Sequence, residues 1–175
     1  MLGGIIGAEV VGVEPGLETV QYAKQNYAAD NISYINANLE DFVKTAPEFD
    51  YVVSRHALEH IDNGLNLALK ISYKKRLMVN VPFNEAEGNI HHKVNWIKEK
   101  DFVAYPNKEF FYEGLDGVTV IESSDKNPPN SIICISSVNK LGLVKGLFHY
   151  PVPAWKPDFL EELGLNAQKN GCASK

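Results

Sequence analysis

The sequence predicts an α/β protein, a three-layer sandwich of helices on a mostly parallel sheet. Three observations carry this. Short β-branched or aromatic runs at 10–13, 51–53 and 77–81 have the length of buried strands and are too short for buried helices. Segments of helical apolar spacing lie between them, the alternation that builds a parallel sheet. Polar side chains gather where strands end, at Glu14, at Asn38, and at Ser54, Arg55 and His56; in open parallel sheets ligands bind at that edge.

Taken in order, residues 8–14 form an apolar strand that ends on Glu14 and is stopped by Pro15-Gly16. Val20, Ala23, Tyr27 and Ala28 then recur at helical spacing until Asp30-Asn31 interrupts them. Residues 32–36 alternate as a strand does, Asn38 follows, and 39–46 is a short helical stretch. Tyr51, Val52 and Val53 read as an inner strand running into Ser54-Arg55-His56 and a helix-compatible Ala57-Leu58-Glu59-His60. A helix through Leu65, Leu67, Ala68, Leu69 and Ile71 is expected to reach the basic Tyr73-Lys74-Lys75-Arg76, a favourable charge at its C-terminal end. Strand 77–81 closes on Pro82. The polar stretch 84–92 is a lid-like loop before an expected helix through Val94, Trp96, Ile97 and Phe102. Strands at 117–122 and 131–138 are joined too closely for a crossover helix and are expected to form a C-terminal antiparallel hairpin.

With 175 residues the chain is expected to be one domain. A net charge of −5 argues against nucleic acid as the main partner. Cys134, in an apolar run, and Cys172, in the polar tail, make neither a disulfide framework nor a metal knuckle. The N-terminus lacks the basic region and cleavage site of a secretory signal, and no apolar run reaches the roughly 20 residues of a membrane span. A cytoplasmic protein is expected. Residues 141–175 form a proline-punctuated, apolar extension expected to wrap the same domain, with a partner-docking strip or a membrane-surface contact as alternatives.

Four local matches give the chain, over about residues 8–138, a resemblance to the class I S-adenosylmethionine-dependent methyltransferases: Val10-Val11-Gly12-Val13-Glu14-Pro15; Asn36-Ala37-Asn38-Leu39-Glu40; Phe49-Asp50 through Leu58-Glu59-His60; and His91-His92 with Trp96 and Phe102. The third is the most specific. The resemblance implies a Rossmann-like sheet over residues 1–140 and S-adenosyl-L-methionine as cofactor. Glu14 would accept hydrogen bonds from the ribose hydroxyls, Asn38 would accept from the adenine amino group in the place where the family usually has Asp, and Leu39 would offer its backbone N–H to the ring. Ser54, Arg55 and His56 would flank the methyl group, with His56 or His60 as general base. His91 and His92 are weaker candidates. A strand-end acid, a turn-forming Asn and helix-capping histidines are the structural alternatives.

The family's glycine-rich Asp/Glu-x-Gly-x-Gly-x-Gly loop is not among these residues, and Gly3, Gly4 and Gly7 stand too close to the Glu14 strand to replace it. The chain is therefore expected to start after the family's central first strand, leaving unpaired edges and weak cofactor binding. The expected function is methylation of a small molecule, sugar or lipid precursor. A degenerate, non-catalytic binding domain is one alternative. Another is a zinc metalloprotease, because His56-Ala57-Leu58-Glu59-His60 spells H-x-x-E-H; no metal is expected under the methyltransferase reading.

Overall fold

Alternating apolar runs become strands wherever a neighbour can complete their backbone hydrogen bonds, and the chain does this in two places. The computed structural model describes residues 8–116, 120–121 and 129–139. They fall into two compact units divided between Asn36 and Ala37.

In the first unit, strand β1 (Val10–Glu14) pairs in parallel with β2 (Ile32–Asn36), with Val10 opposite Ile32 and Glu14 opposite Asn36. Helix α1 (Leu17–Asn26) is the crossover, and it buries Val20. The Asn36 side-chain amide donates to the backbone oxygens of Glu14 at 3.1 Å and Pro15 at 2.8 Å, fixing the turn after β1.

The second unit holds α2 (Leu39–Thr45), β3 (Phe49–Arg55), α3 (Gly64–Ala68), β4 (Tyr73–Pro82), β5 (Lys108–Glu113), β6 (Val120–Ile121) and β7 (Ser131–Ser137), with 3₁₀ turns at Leu58–His60 and Glu99–Phe102. Its sheet runs β3-β4-β7-β5-β6. β3 and β4 are parallel, and the remaining pairs are antiparallel, so this sheet is mixed. β1 pairs only with β2, and β3 only with β4, among the described strands.

Leu77, Val79 and Val81 point to one face of β4 by the period of two, and with Ile132 and Cys134 of β7 they meet Leu58, Leu65, Ile97, Phe102 and Tyr105 in the core. Tyr105 settles its hydroxyl there by donating to the Leu65 carbonyl at 2.7 Å. Burial raises its pKa, and it pushes the Cys134 thiol up to about 12.

The α/β class is as the sequence predicts, but four elements differ. β7 does not pair with 120–121; it lies between β4 and β5, and β6 pairs with β5 instead. A strand buried along its whole length, as β7 is, needs a hydrogen-bonded neighbour on each side. β5 supplies one of them and was not anticipated. The basic residues 73–76 open β4 rather than ending a helix, and the Tyr73 hydroxyl meets Ser136 Oγ at 3.0 Å across the sheet. Finally, 94–98 is not helical. Trp96 has a left-handed φ of 59°, its N–H donates to the Glu85 carbonyl at 2.9 Å, and Asn84 N–H donates to the Ile97 carbonyl at 2.8 Å, so the segment runs beside the loop before it. Among the described residues no helix is long and apolar enough to cross a membrane. The expected extension, 141–175, lies outside the described residues.

Candidate functional site

Glu14 ends β1 half-buried, and its Oε1 accepts the Gly16 N–H at 2.8 Å at the start of α1. Its other carboxylate oxygen has no hydrogen bond among the described residues. In the second unit, Asn38 is the N-cap of α2, and its Oδ1 accepts the Asp41 N–H at 2.8 Å. Leu39 follows as the first helical residue, where a backbone N–H has no partner within the helix.

β3 carries Ser54 and Arg55 at its carboxyl end, opposite Val79 and Asn80 of β4. His56 turns the chain with a φ of 47° while its N–H donates to the Asn80 carbonyl at 2.9 Å. This turn aims the chain into the 3₁₀ segment 58–60 and plants Glu59 in the interior, at 1% exposure. His56 Nδ1 stands 3.5 Å, and His60 Nε2 3.8 Å, from Glu59 Oε1, and both rings are partly open to solvent. Among the described residues neither Glu59 carboxylate oxygen has a hydrogen-bond partner.

The loop 84–92 closes on this turn. Lys93 and Val94 N–H both donate to the Glu59 carbonyl, at 2.9 and 3.1 Å. The Lys93 ammonium reaches Asp62 at 2.9 Å, a bond that raises the lysine pKa above its ordinary value. The His60 and His92 rings meet edge to face, with centroids 4.7 Å apart.

Arg55 leads into a second polar group. Glu113, fully buried at the end of β5, accepts from Asn80 Nδ2 at 2.8 Å and Ser131 Oγ at 2.6 Å through Oε2, and Arg55 Nη2 lies 3.8 Å away. One polar row thus crosses β3, β4, β7 and β5 at the end where β3, β4 and β5 finish.

The structure therefore brings Ser54, Arg55, His56 and His60 to one edge, and Asn38 and Leu39 to the start of α2. Glu14 holds the corresponding strand-end place in the other unit. Three residues gain weight that spacing did not give them: His92 enters through backbone pairing of a loop, and Asn80 and Glu113 through strand order. Asn80 did carry a signal, as a polar interruption in an otherwise apolar strand. His56 and His60 do not share a helix face, because His56 is left-handed and 58–60 is a 3₁₀ turn. The helical geometry of an H-x-x-E-H protease is missing.

Solved structures share this architecture. The methyltransferase domain of bacterial CtHen1-CN matches with a TM-score of 0.50 and 14% identity, over 74% of this chain and 78% of that one. A protein provisionally described as a methyltransferase from Bacillus halodurans matches with a TM-score of 0.51 and 12% identity, over 73% and 81%. At such identities the likeness concerns the fold, which is that of the class I S-adenosylmethionine-dependent methyltransferases. Residues 2–73 match the family model described as "Methyltransferase domain". No curated protein sequence matches the chain.

Proposed function

We propose that this domain transfers the methyl group of S-adenosylmethionine to a small molecule, a sugar or lipid precursor, in the cytoplasm. The observation that supports this most directly is the carboxyl edge of β3, where two partly exposed imidazoles flank a buried carboxylate beside Ser54 and Arg55. Taken unit by unit, the residues present suit the adenosine part of the cofactor: Glu14 in one retains an acceptor for a ribose hydroxyl, and the Leu39 N–H in the first turn of α2 in the other suits the ring. When bound, the cofactor supplies an electrophilic methyl group. Ser54 and Arg55 would line the place where an acceptor approaches, and His56 or His60, at 3.5 and 3.8 Å from the buried Glu59 carboxylate, would take the proton that the nucleophile loses. The negative net charge and the loop 84–92 favour a compact, non-polymeric substrate over nucleic acid.

The 175 residues contain no Asp/Glu-x-Gly-x-Gly-x-Gly segment to approach the methionine part, so this polypeptide by itself is expected to hold the cofactor weakly. Isothermal titration with S-adenosylmethionine checks this; micromolar affinity would overturn it. A second reading, a non-catalytic methyltransferase-like domain, draws on one specific observation: Glu14 Oε1 and Asn38 Oδ1 are both already engaged by backbone N–H groups at the starts of their own helices. S-adenosylhomocysteine separates the two, because a ligand of the native state alone must raise the unfolding midpoint. No shift at millimolar ligand would favour the non-catalytic domain.

A further inference from the structure

We propose that Glu59, His60 and His92 form a binding site for a divalent transition-metal ion, such as zinc. Each residue offers a donor atom, and these atoms lie within 4.8 Å of one another. Ligands held about 2.1 Å from a tetrahedral zinc stand roughly 3.4 Å apart, so the group closes around the ion by little more than 1 Å, which side-chain rotation supplies.

Three features of the surroundings point to a cation. First, the Glu59 carboxylate is 1% exposed with no hydrogen bond to either oxygen among the described residues, an arrangement that costs roughly several kcal/mol unless a positive charge sits beside it. Second, His60 Nδ1 lies 2.8 Å from the His91 carbonyl oxygen, which can only accept. The proton is therefore on Nδ1, and in the neutral ring the lone pair of Nε2 faces Glu59 Oε1. A lone pair and a carboxylate turned towards each other need a cation between them. Third, His92 Nδ1 lies 2.5 Å from Glu85 Oε2, so that ring also carries its proton on the outer nitrogen and keeps the Nε2 lone pair. An imidazole whose second nitrogen is held by a carbonyl or a carboxylate is the usual outer arrangement of metal-ligating histidine. Asn89 Nδ2 now lies 3.0 Å from His92 Nε2 and would be displaced by the ion.

Two imidazoles and one carboxylate favour a transition metal over magnesium or calcium, which prefer oxygen. The partly exposed His60 leaves the ion open to solvent on one side. Metal binding at these three side chains does not require the cofactor, so the titration contains none.

The chelator-treated 175-residue chain is titrated with zinc chloride by calorimetry, with magnesium chloride in a parallel run. One equivalent of zinc is expected to bind with micromolar or tighter affinity. His60→Ala and His92→Ala should each weaken it by at least about tenfold, and Glu85→Gln by about tenfold through the outer hydrogen bond. Glu59→Gln, which keeps the shape and removes the charge, should also weaken it. Imidazole proton spectra of the unmodified chain provide a readout that needs no variant: zinc should move the His60 and His92 ring signals together. Absence of zinc binding at millimolar concentration would show that a proton alone, on an imidazolium beside Glu59, balances the carboxylate, and the proposal fails. Binding unchanged in both histidine variants, or ring shifts confined to other histidines, would place any metal elsewhere and overturn it equally.

Discussion

Gly64 is the position where a single methyl group should do the most damage. It begins α3 and is buried against the 3₁₀ turn that carries Glu59 and His60. A Cβ built there falls on the Leu58 carbonyl oxygen, well inside the 3.0 Å that real Cβ atoms essentially never breach, and 3.1 Å from both Leu58 C and Leu58 Cα. The obstacle is backbone and cannot rotate away. That carbonyl also accepts the Ile61 N–H at 3.2 Å, so moving it strains the turn as a whole. Overpacking typically costs about 1–3 kcal/mol, and an obstacle made of backbone places Gly64→Ala near the top, about 3 kcal/mol. At about 2–4 °C per kcal/mol for a chain of this size, the unfolding midpoint should fall by roughly 6–12 °C. Differential scanning calorimetry of Gly64→Ala beside Gly12→Ala checks this. At Gly12 the tight contact of the added methyl is with the Tyr34 ring, at 3.0 Å, which can tilt, while the Ser33 carbonyl oxygen at 3.8 Å is at ordinary distance, so the loss there should be clearly smaller. A Gly64→Ala midpoint within 2 °C of the parent, or no lower than that of Gly12→Ala, would refute the reasoning.

Three further outcomes are expected. Glu113→Ala should destabilise by about 2–4 kcal/mol in urea unfolding, because it leaves the Asn80 amide and Ser131 hydroxyl as buried donors without their acceptor, whereas Glu113→Gln, which keeps one carbonyl oxygen, should lose less. Asn38→Ala should cost about 1 kcal/mol by loss of the helix cap while Asn38→Asp keeps the stability; if Asn38→Ala is neutral in urea, the capping assignment is wrong. Burial raises the Cys134 thiol from 9.0 to about 12, so peptide mapping after alkylation at pH 8 should find Cys134 unmodified in the native protein and modified in urea. The sign of its linkage follows: the fold holds the thiol proton more tightly than the unfolded chain, so this stabilisation is complete below pH 9 and disappears as pH rises towards 12. Tyr112, raised to about 12 by burial and then by its hydrogen bond to Glu99, acts in the same direction from pH 10 upward.

What the sequence determined by itself is local. Strands β1 to β4, the strand-end acid Glu14 and the polar exit of β3 are all legible, because side-chain alternation and abrupt polarity changes are properties of consecutive residues. So is the fold, since the Phe49–His60 wording and the Glu14 strand resemble the methyltransferases whose fold the chain has. Strand β5 escaped notice because its charged residues, Lys108, Glu109 and Glu113, conceal a short apolar run, and those charges are tolerable only through partners supplied from elsewhere. Tertiary structure alone decided that β7 lies between β4 and β5, that Asn80 and Ser131 meet Glu113, and that His92 folds back beside His60. Each is a contact between residues 18 or more positions apart or a choice among competing strand partners, made by which edges remain unpaired and which charges remain buried.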